Sequence, residues 1–400
     1  VFGAASLAFF FLNMSTFTAL GVVLFTMVAD LHWSMTSAGF SFSLLGIASG
    51  LTSPLGAVAM RWMGGRGAIV AGCVCLLGGF ALAAVSHGIG TFYVAMVLLG
   101  LGYSLAGNVV GIFLIAGWFT RNSARVIGMY LMLGALGAAA GPPLVQAIVA
   151  DYGWRGQWRA MALLALLVGI ACLVLIRTPP RVVASSADRA TSRYAADRRE
   201  FGWAPRAAIL TPQFMLIAAA MTMTMACVTT FSNDTVTHLV RMGATPQGAA
   251  LVMSAMALTA TLVKGAAGRL CESISPTVVL AVGLVLQAVG EVLLARADSR
   301  LLGYAGAFGF GTGWGFAYVA GTVVMLEYFG AVTGSKILSI VWLLTTVAAV
   351  GPIAAGMIAD RTGSFSPIFN IYAGLLLVLA VPTLMMREPA PRARAAEAVQ

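Results

Sequence analysis

The sequence predicts an all-α integral membrane protein of twelve spans, arranged as two pseudo-symmetric six-helix bundles. Three observations carry that prediction. Of 400 residues, 60% are hydrophobic and only 9% are charged, with a mean hydropathy of +0.95; soluble domains carry about a quarter charged residues. Apolar segments of about 20 residues or more recur along the chain, long enough to cross a hydrocarbon core of about 30 Å. The chain also repeats itself. At an offset of about 209 residues, Pro143 to Asp151 aligns with Pro352 to Asp360, Trp118-Phe119 recurs as Tyr328-Phe329, and a glycine-rich segment from Gly100 to Asn108 recurs as Gly309 to Gly321. Six spans plus six, related by duplication, is an architecture that transporters use, with the site at the repeat interface.

Taken in order, span 1 is expected at about 2–29, with Asn13, Ser15, Thr16 and Thr18 as its polar face. It has no basic leader and is longer than the apolar core of a signal peptide, so it is read as a true span. Span 2 covers about 36–60, span 3 about 68–86 and span 4 about 91–118. Span 5, about 124–150, carries GALGAAAGPP from Gly134 to Pro143, and span 6 covers about 157–176. The glycines of spans 4 and 5 permit close helix packing. From Arg177 to Arg206 the composition changes to seven arginines, three acids, prolines and serines, which marks a surface linker. Spans 7 to 12 follow at about 212–240, 246–270, 277–295, 300–326, 335–359 and 367–386. The expected organisation is therefore a bundle over 1–177, a basic linker over 178–208, a second bundle over 209–388 and a tail over 389–400.

Loop charge orients this arrangement. Sixteen of the 23 basic residues fall on the side of the linker and both termini, and six fall on the other. The positive-inside rule makes the linker side cytoplasmic, in a bacterial inner membrane. The net charge of +10 then belongs to loops facing anionic head groups, and nucleic acid is not an expected partner. The five cysteines form no CxxC pair and read as small buried hydrophobes. With three histidines, no HExxH and no cofactor loop, neither a metal nor a cofactor is expected, and no catalytic residue is proposed. A membrane enzyme is the alternative from another class; its nearest serine elbow, Gly102 to Ala106, lacks a partner histidine.

Lys264 is one of two lysines; the other, Lys336, lies beside a predicted loop. Lys264 stands eight residues before Glu272, where span 8 gives way to a polar turn, which places it about 12 Å inside the helix end. A charge at that depth normally faces a cavity and marks a functional site. The alternative is a side chain that snorkels to the interface. On span 7, Asn233 and Asp234, with His238 one turn on, form a polar face. Asp234 reads as a proton site or counter-charge for Lys264, or else as a partner of Arg241, and His238 shares the proton-coupling reading. Asn108 and Tyr318 hold nearly matching repeat positions on spans 4 and 10, where they would bind a ligand or bridge helices. Trp314 lines the cavity or fills the packing. Glu291 is expected to pair with Arg296 near the surface.

Two loops carry a resemblance. Gly56 to Arg61, continuing to Gly65-Arg66, resembles the signature between spans 2 and 3 of the major facilitator superfamily, and Gly268-Arg269-Leu270-Cys271-Glu272 resembles its second-half counterpart. The resemblance implies that Gly56, Arg61, Arg66, Gly268, Arg269 and Glu272 belong to a gate; Met60 stands where the first motif has its acid. Within that superfamily the chain is similar to the monocarboxylate and oxalate–formate porter branch, in Trp33-Ser34, Trp118-Phe119 before Arg121–Arg125, Gly153-Trp154-Arg155, and His238 to Pro246. The branch implies that Lys264 receives a substrate carboxylate, although arginine is commoner there. An aspartate four residues earlier (Ala260 here) and a lysine on span 1 are absent. The implied function is secondary active transport of a small organic anion, a monocarboxylate, by alternating access, with a coupling proton as a possible partner. The substrate-binding candidates are Lys264, Asn108, Tyr318, Asn233 and Trp314, in a monomer within the lipid bilayer. A proton-coupled drug antiporter is the alternative, because Gly137 to Pro142 resembles the span 5 signature of such antiporters. Val145-Gln146 replaces its final glycines, and Met96 lies near the place of their span 4 arginine.

Overall fold

The structure, a computed structural model, describes residues 1–119, 123–177 and 205–389. Most of the expected linker, the tail beyond 389, Arg121, and the side chains of Asn108, Arg125 and Lys336 lie outside the described residues. Among the described residues every regular element is a helix. In lipid each backbone polar group needs an internal partner, and a helix provides one within its own segment.

The spans form as expected, with their starts set by caps. Ser34, Thr211, Thr245 and Ser299 each accept a hydrogen bond from the amide three residues on, and open the helices Met35–Ala84, Pro212–Arg241, Pro246–Ser273 and Arg300–Phe329. Proline at the first helical position of spans 7, 8 and 9 adds a fixed φ where no N–H is needed. Span 9 is Pro276–Ala295 and span 12 is Ser366–Leu384.

Two expected loops are much shorter. Spans 2 and 3 run as Met35–Ala84, interrupted only at Gly64 (φ 70°, ψ 169°), so the seven-residue turn expected there is a single reversal. Spans 5 and 6 likewise run as Ser123–Leu175 with a break at Gly153 (φ 68°, ψ 175°). A left-handed φ costs glycine nothing, which lets one residue do the work of a loop. At the linker's end, Pro205–Ile209 is a short helix rather than the irregular chain expected up to 208.

Three spans are broken within the membrane. Span 1 divides at Thr16 into Phe2–Ser15 and Phe17–Leu31, and span 4 divides at Gly107 into Ile89–Ala106 and Asn108–Trp118. At the first break Thr16 Oγ1 donates to the Leu12 carbonyl (2.7 Å) and Thr18 Oγ1 to that of Asn13 (3.0 Å), which satisfies groups the break frees. Span 11 is Ala331–Leu344, a 3₁₀ segment Thr345–Val350, and Gly351–Thr362.

The prolines of the repeat explain part of this. Pro143 and Pro352 hold equivalent positions, and each deprives the carbonyl four residues earlier of its helical donor. Hydroxyls replace those donors. Ser254 Oγ of span 8 donates to Ala139 O (2.5 Å), and Thr229 Oγ1 of span 7 donates to Ala348 O (3.0 Å). Ser43 Oγ of span 2 donates to the next carbonyl, that of Ala349.

The end of the protein carrying the turns at 32–34, 152–156, 242–245 and 363–365 is the far end; the linker attaches at the other. Hydrogen bonds between the halves gather in the far half of the molecule. Asp360 of span 11 accepts from the amides of Met35 and Thr36 (both 2.9 Å) and from Thr36 Oγ1 (2.6 Å) at the start of span 2. Backbones also close there: a Cβ added at Gly39 or Gly21 would overlap the carbonyls of Pro352 or Ser232 in the opposite half.

Candidate functional site

Helical rise places five side chains at similar depth. Counted from the far ends of their helices, Asn13 and Lys264 lie about 27 Å in, Tyr103 and Trp314 about 21 Å, and Tyr318 about 27 Å. These are middle levels for helices of 27 to 30 residues. All five are half-buried.

Lys264 is the charge among them. Its Nζ lies 3.9 Å from the centroid of the Trp314 ring and 4.6 Å from that of Tyr318. The two rings stand four residues apart on span 10, so they share one face. Among the described residues no carboxylate lies within 4.0 Å of the ammonium. Two aromatic faces attract a cation by their quadrupoles, each worth about 0.5–2 kcal/mol, without neutralising it. The Trp314 indole N–H is buried and has no acceptor among the described residues. From the first half, Tyr103 OH lies within electrostatic reach of Tyr318 and donates to Asn13 Oδ1 (3.4 Å). Asn13 Nδ2 is committed to the Phe9 carbonyl (2.8 Å), and Phe17 packs edge-on to Tyr103 at 5.0 Å. The arrangement is an uncompensated cation, an aromatic clamp and hydroxyl groups where the two halves face each other.

The structure separates other residues that the sequence groups together. Asp234 does not reach Lys264: it sits about 10 Å from the far end of span 7, against about 27 Å for Lys264 on span 8. Its Oδ1 accepts from Asn233 Nδ2 (2.7 Å), and both side chains are buried. Nor does it pair with Arg241, whose Nη1 donates to the Gly363 carbonyl (3.1 Å). His238 is buried with Nε2 at 2.8 Å from the Leu294 carbonyl and its ring edge-on to Phe369. Glu291 does not meet Arg296. It is fully buried, and Arg296 instead contacts the Val292 carbonyl. The loop-motif residues Arg61, Arg66, Arg269 and Glu272 are exposed at the linker end and form no ion pair among the described residues, while Gly56 packs against Ser104 and Gly268 faces open space. Asn108 begins the second piece of span 4, with its side chain outside the described residues. Sequence reading did not single out Tyr103, although its place in the glycine-rich stretch of span 4 was a signal.

Two bundles of membrane-crossing helices, with a half-buried charge and polar side chains at their interface, have the architecture of a membrane transporter. The sequence profile of the Major Facilitator Superfamily matches residues 5–342, and the chain belongs to that family. Among curated proteins, it is 24% identical over 111 residues to the "Probable L-galactonate transporter" of Escherichia coli (strain K12). That stretch is 28% of this chain and spans about a quarter of the relative's length (24%). Among solved structures, the nucleoside transporter NupG superposes with a TM-score of 0.77 at 15% identity, covering 97% of this chain and 98% of that one. A POT family transporter in complex with 5-aminolevulinic acid gives 0.76 at 14%, covering 96% and 95%. At these identities the two structures establish the fold alone.

Proposed function

We propose that this protein carries a small organic anion, a monocarboxylate or a hydroxylated sugar acid, with Lys264 as the group that receives the carboxylate. The observation that carries the reading is the ammonium set between the rings of Trp314 and Tyr318 with no carboxylate in ion-pair contact among the described residues. A cation inside a membrane bundle needs an anion or a ligand; here the ligand would be the substrate. The Trp314 N–H supplies a second donor, and Tyr103, Tyr318 and Asn13 suit the hydroxyls of a sugar acid. The partial relative, an L-galactonate transporter by name, is compatible with that chemistry. The monocarboxylate branch of the superfamily remains part of this proposal.

Alternating access follows from the two halves. Closure by hydrogen bonds in the far half describes a state open toward the linker end, which loop charge assigns to the cytoplasm of a bacterial inner membrane. The working unit is a monomer, and a proton is the proposed coupling ion. The glycines of span 5 that resemble a drug-antiporter signature have a packing explanation: Gly134, Gly137 and Gly141 meet Phe9, Phe10 and Met14 of span 1.

Uptake of labelled L-galactonate and a panel of monocarboxylates into proteoliposomes tests the reading. Breaking a desolvated charge pair costs about 2–5 kcal/mol, or about 30-fold to several thousandfold in affinity. Lys264→Gln is expected to lose binding by that amount in a folded, inserted protein, and Lys264→Arg to keep partial transport. Binding of the best carboxylate by the Gln variant within about threefold of the parent, under 1 kcal/mol, would overturn the assignment.

A further inference from the structure

A second set of polar groups lies inside the second bundle, apart from the Lys264 site. Glu291 of span 9 is fully buried, and among the described residues its carboxyl oxygens form no ion pair and have no hydrogen-bond donor in reach other than the Cys227 thiol. The Cys227 thiol of span 7 lies beside it. Asp234 and Asn233 are also buried, and Asp234 Oδ2 and Asn233 Oδ1 have no partner. Tyr372 of span 12 lies within electrostatic reach of Cys227, Glu291 and Asp234. Thr230 Oγ1 donates to the Tyr372 oxygen at 3.3 Å, which occupies an acceptor site of the phenol.

Among the described residues, the other surroundings of Glu291 hold no opposing charge. Span 10 presents Gly306 and Phe310 to its neighbour Gly290. On span 9 itself, Gln287 Nε2 is committed to the Thr224 carbonyl (3.3 Å). His238 spends Nε2 on the Leu294 carbonyl, and Arg241 acts on Asp234 rather than on Glu291. An ionised carboxylate taken out of water without a partner costs several kcal/mol, whereas the neutral acid costs far less. A buried acid kept in such a place against that cost is a functional group by default.

We propose that Glu291 is a proton-binding site of this carrier. The step is the uptake or release of one proton at a carboxyl oxygen of Glu291. No other bond changes. The site touches the gate. A Cβ added at Gly351, where the 3₁₀ segment of span 11 ends, would lie 2.8 Å from Thr230 Oγ1 and 3.0 Å from Tyr372 OH. Span 11 carries the Ala349 carbonyl and Asp360, both bonded to span 2 of the other half. A change of charge at Glu291 or Asp234 is thus felt by the helix that closes the far end. This deepens the transport reading above by naming where its coupling proton binds.

Infrared difference spectroscopy on the full-length reconstituted protein, with pH stepped through the range in which buried carboxyls titrate, tests the site without any substrate. The parent is expected to show a protonated-carboxyl band that disappears as pH rises. The band should be lost in Glu291→Gln, shifted in Glu291→Asp and retained in Asp234→Asn. No titrating band in the parent, or an unchanged band in Glu291→Gln, overturns the proposal. Transport supplies a second arm with labelled L-galactonate and lactate. Glu291→Gln is expected to keep counterflow exchange and to lose about tenfold or more of the accumulation driven by a pH gradient. Equal loss of both means that Glu291 is structural, and that result also overturns the site. If neither probe is carried by the parent, the organic-anion reading fails, while the infrared result still decides for or against Glu291.

Discussion

Ser254 of span 8 donates a 2.5 Å hydrogen bond to the carbonyl of Ala139 on span 5, across the boundary between the two halves. Its counterpart by the internal repeat is Ser43 of span 2, which donates to Ala349 on span 11. Both acceptors lie next to or at the carbonyl that a repeat proline, Pro143 or Pro352, leaves without a donor. The duplication has therefore placed a related device twice: beside each repeat proline, a serine of the other half donates to a carbonyl at or next to the one the proline frees. Such bonds form only when the halves are together at that level, so they stabilise one state of the cycle and not the other.

Ser43→Ala and Ser254→Ala are each expected to favour opening of the far end by about 0.5–1.5 kcal/mol, or about two- to twelvefold in the equilibrium. The sites are on separate helices, and the double variant should show roughly the summed effect. Spin labels at His87 and Asp298, exposed at the far end of each half, would report it as a growing population of longer distances. An unchanged distance distribution in the double variant would remove the serines from the gate.

Asp360 holds the same closure at its rim. Its carboxylate accepts three hydrogen bonds from the first turn of span 2, where the helix dipole also favours a negative charge. Asp360→Asn removes the charge and turns one acceptor into a donor that faces other donors. Hydrogen bonds to charged groups contribute about 1.5–3 kcal/mol, so this variant should open the far end more than either serine variant. Asp151, its counterpart by the repeat, is exposed and, among the described residues, forms no hydrogen bond or ion pair with span 8, so Asp151→Asn should leave the same distances unchanged. Equal responses of the two variants would contradict the asymmetry.

Much of this was legible in the sequence, and the reasons for the rest are physical. Span starts could be read because Ser34, Thr211, Thr245 and Ser299 are caps whose chemistry is local. Lys264 stood out because a charge so deep in an apolar run has few explanations. Trp314 and Tyr318 were both noted, and their joint action on Lys264 follows from a spacing of four residues. Glu291 and Arg296 misled because five residues turn a helix by about 140°, which sets the two side chains on different faces. Asp234 and Lys264 misled because the two lie at different depths on separate spans, about 10 Å and about 27 Å from the far end. The turns at Gly64 and Gly153 were read too long, since a single glycine at positive φ leaves no compositional signal of a loop. Packing between halves, on which Tyr103 and the two serines depend, is not encoded in any one segment.

Orientation in the membrane has its own test. Sixteen of 23 basic residues on the linker side predict that Ser192, in the linker and outside the described residues, is cytoplasmic. Asp298, in the turn between spans 9 and 10, is exposed at the far end. Single cysteines at these two positions in a cysteine-free background should react with an impermeant maleimide from opposite sides of the membrane. Labelling from the same side would contradict an odd number of crossings between them, and with it the twelve-span arrangement.

The clamp on Lys264 gives the sharpest test of the site itself. The ammonium lies 3.9 Å from the Trp314 ring centroid and 4.6 Å from that of Tyr318. If the rings hold the charge in place for an anion, removing one should loosen the clamp while leaving the charge. Trp314→Leu deletes the closer ring, a contribution of about 0.5–2 kcal/mol, and also the indole donor, whose hydrogen bond is worth about 0.5–1.5 kcal/mol. Together these predict a carboxylate affinity weaker by about sixfold to several hundredfold. Trp314→Phe keeps a ring and loses the donor, and should fall between the parent and the Leu variant. Tyr318→Phe keeps the ring face that the ammonium touches and should stay closer to the parent than either. In Lys264→Gln there is no cation to clamp, so adding Trp314→Leu should cost only the indole donor. A double-mutant cycle on Lys264 and Trp314 that shows no coupling energy would mean that the ring packs against the lysine without serving it, and would leave Lys264 to act alone.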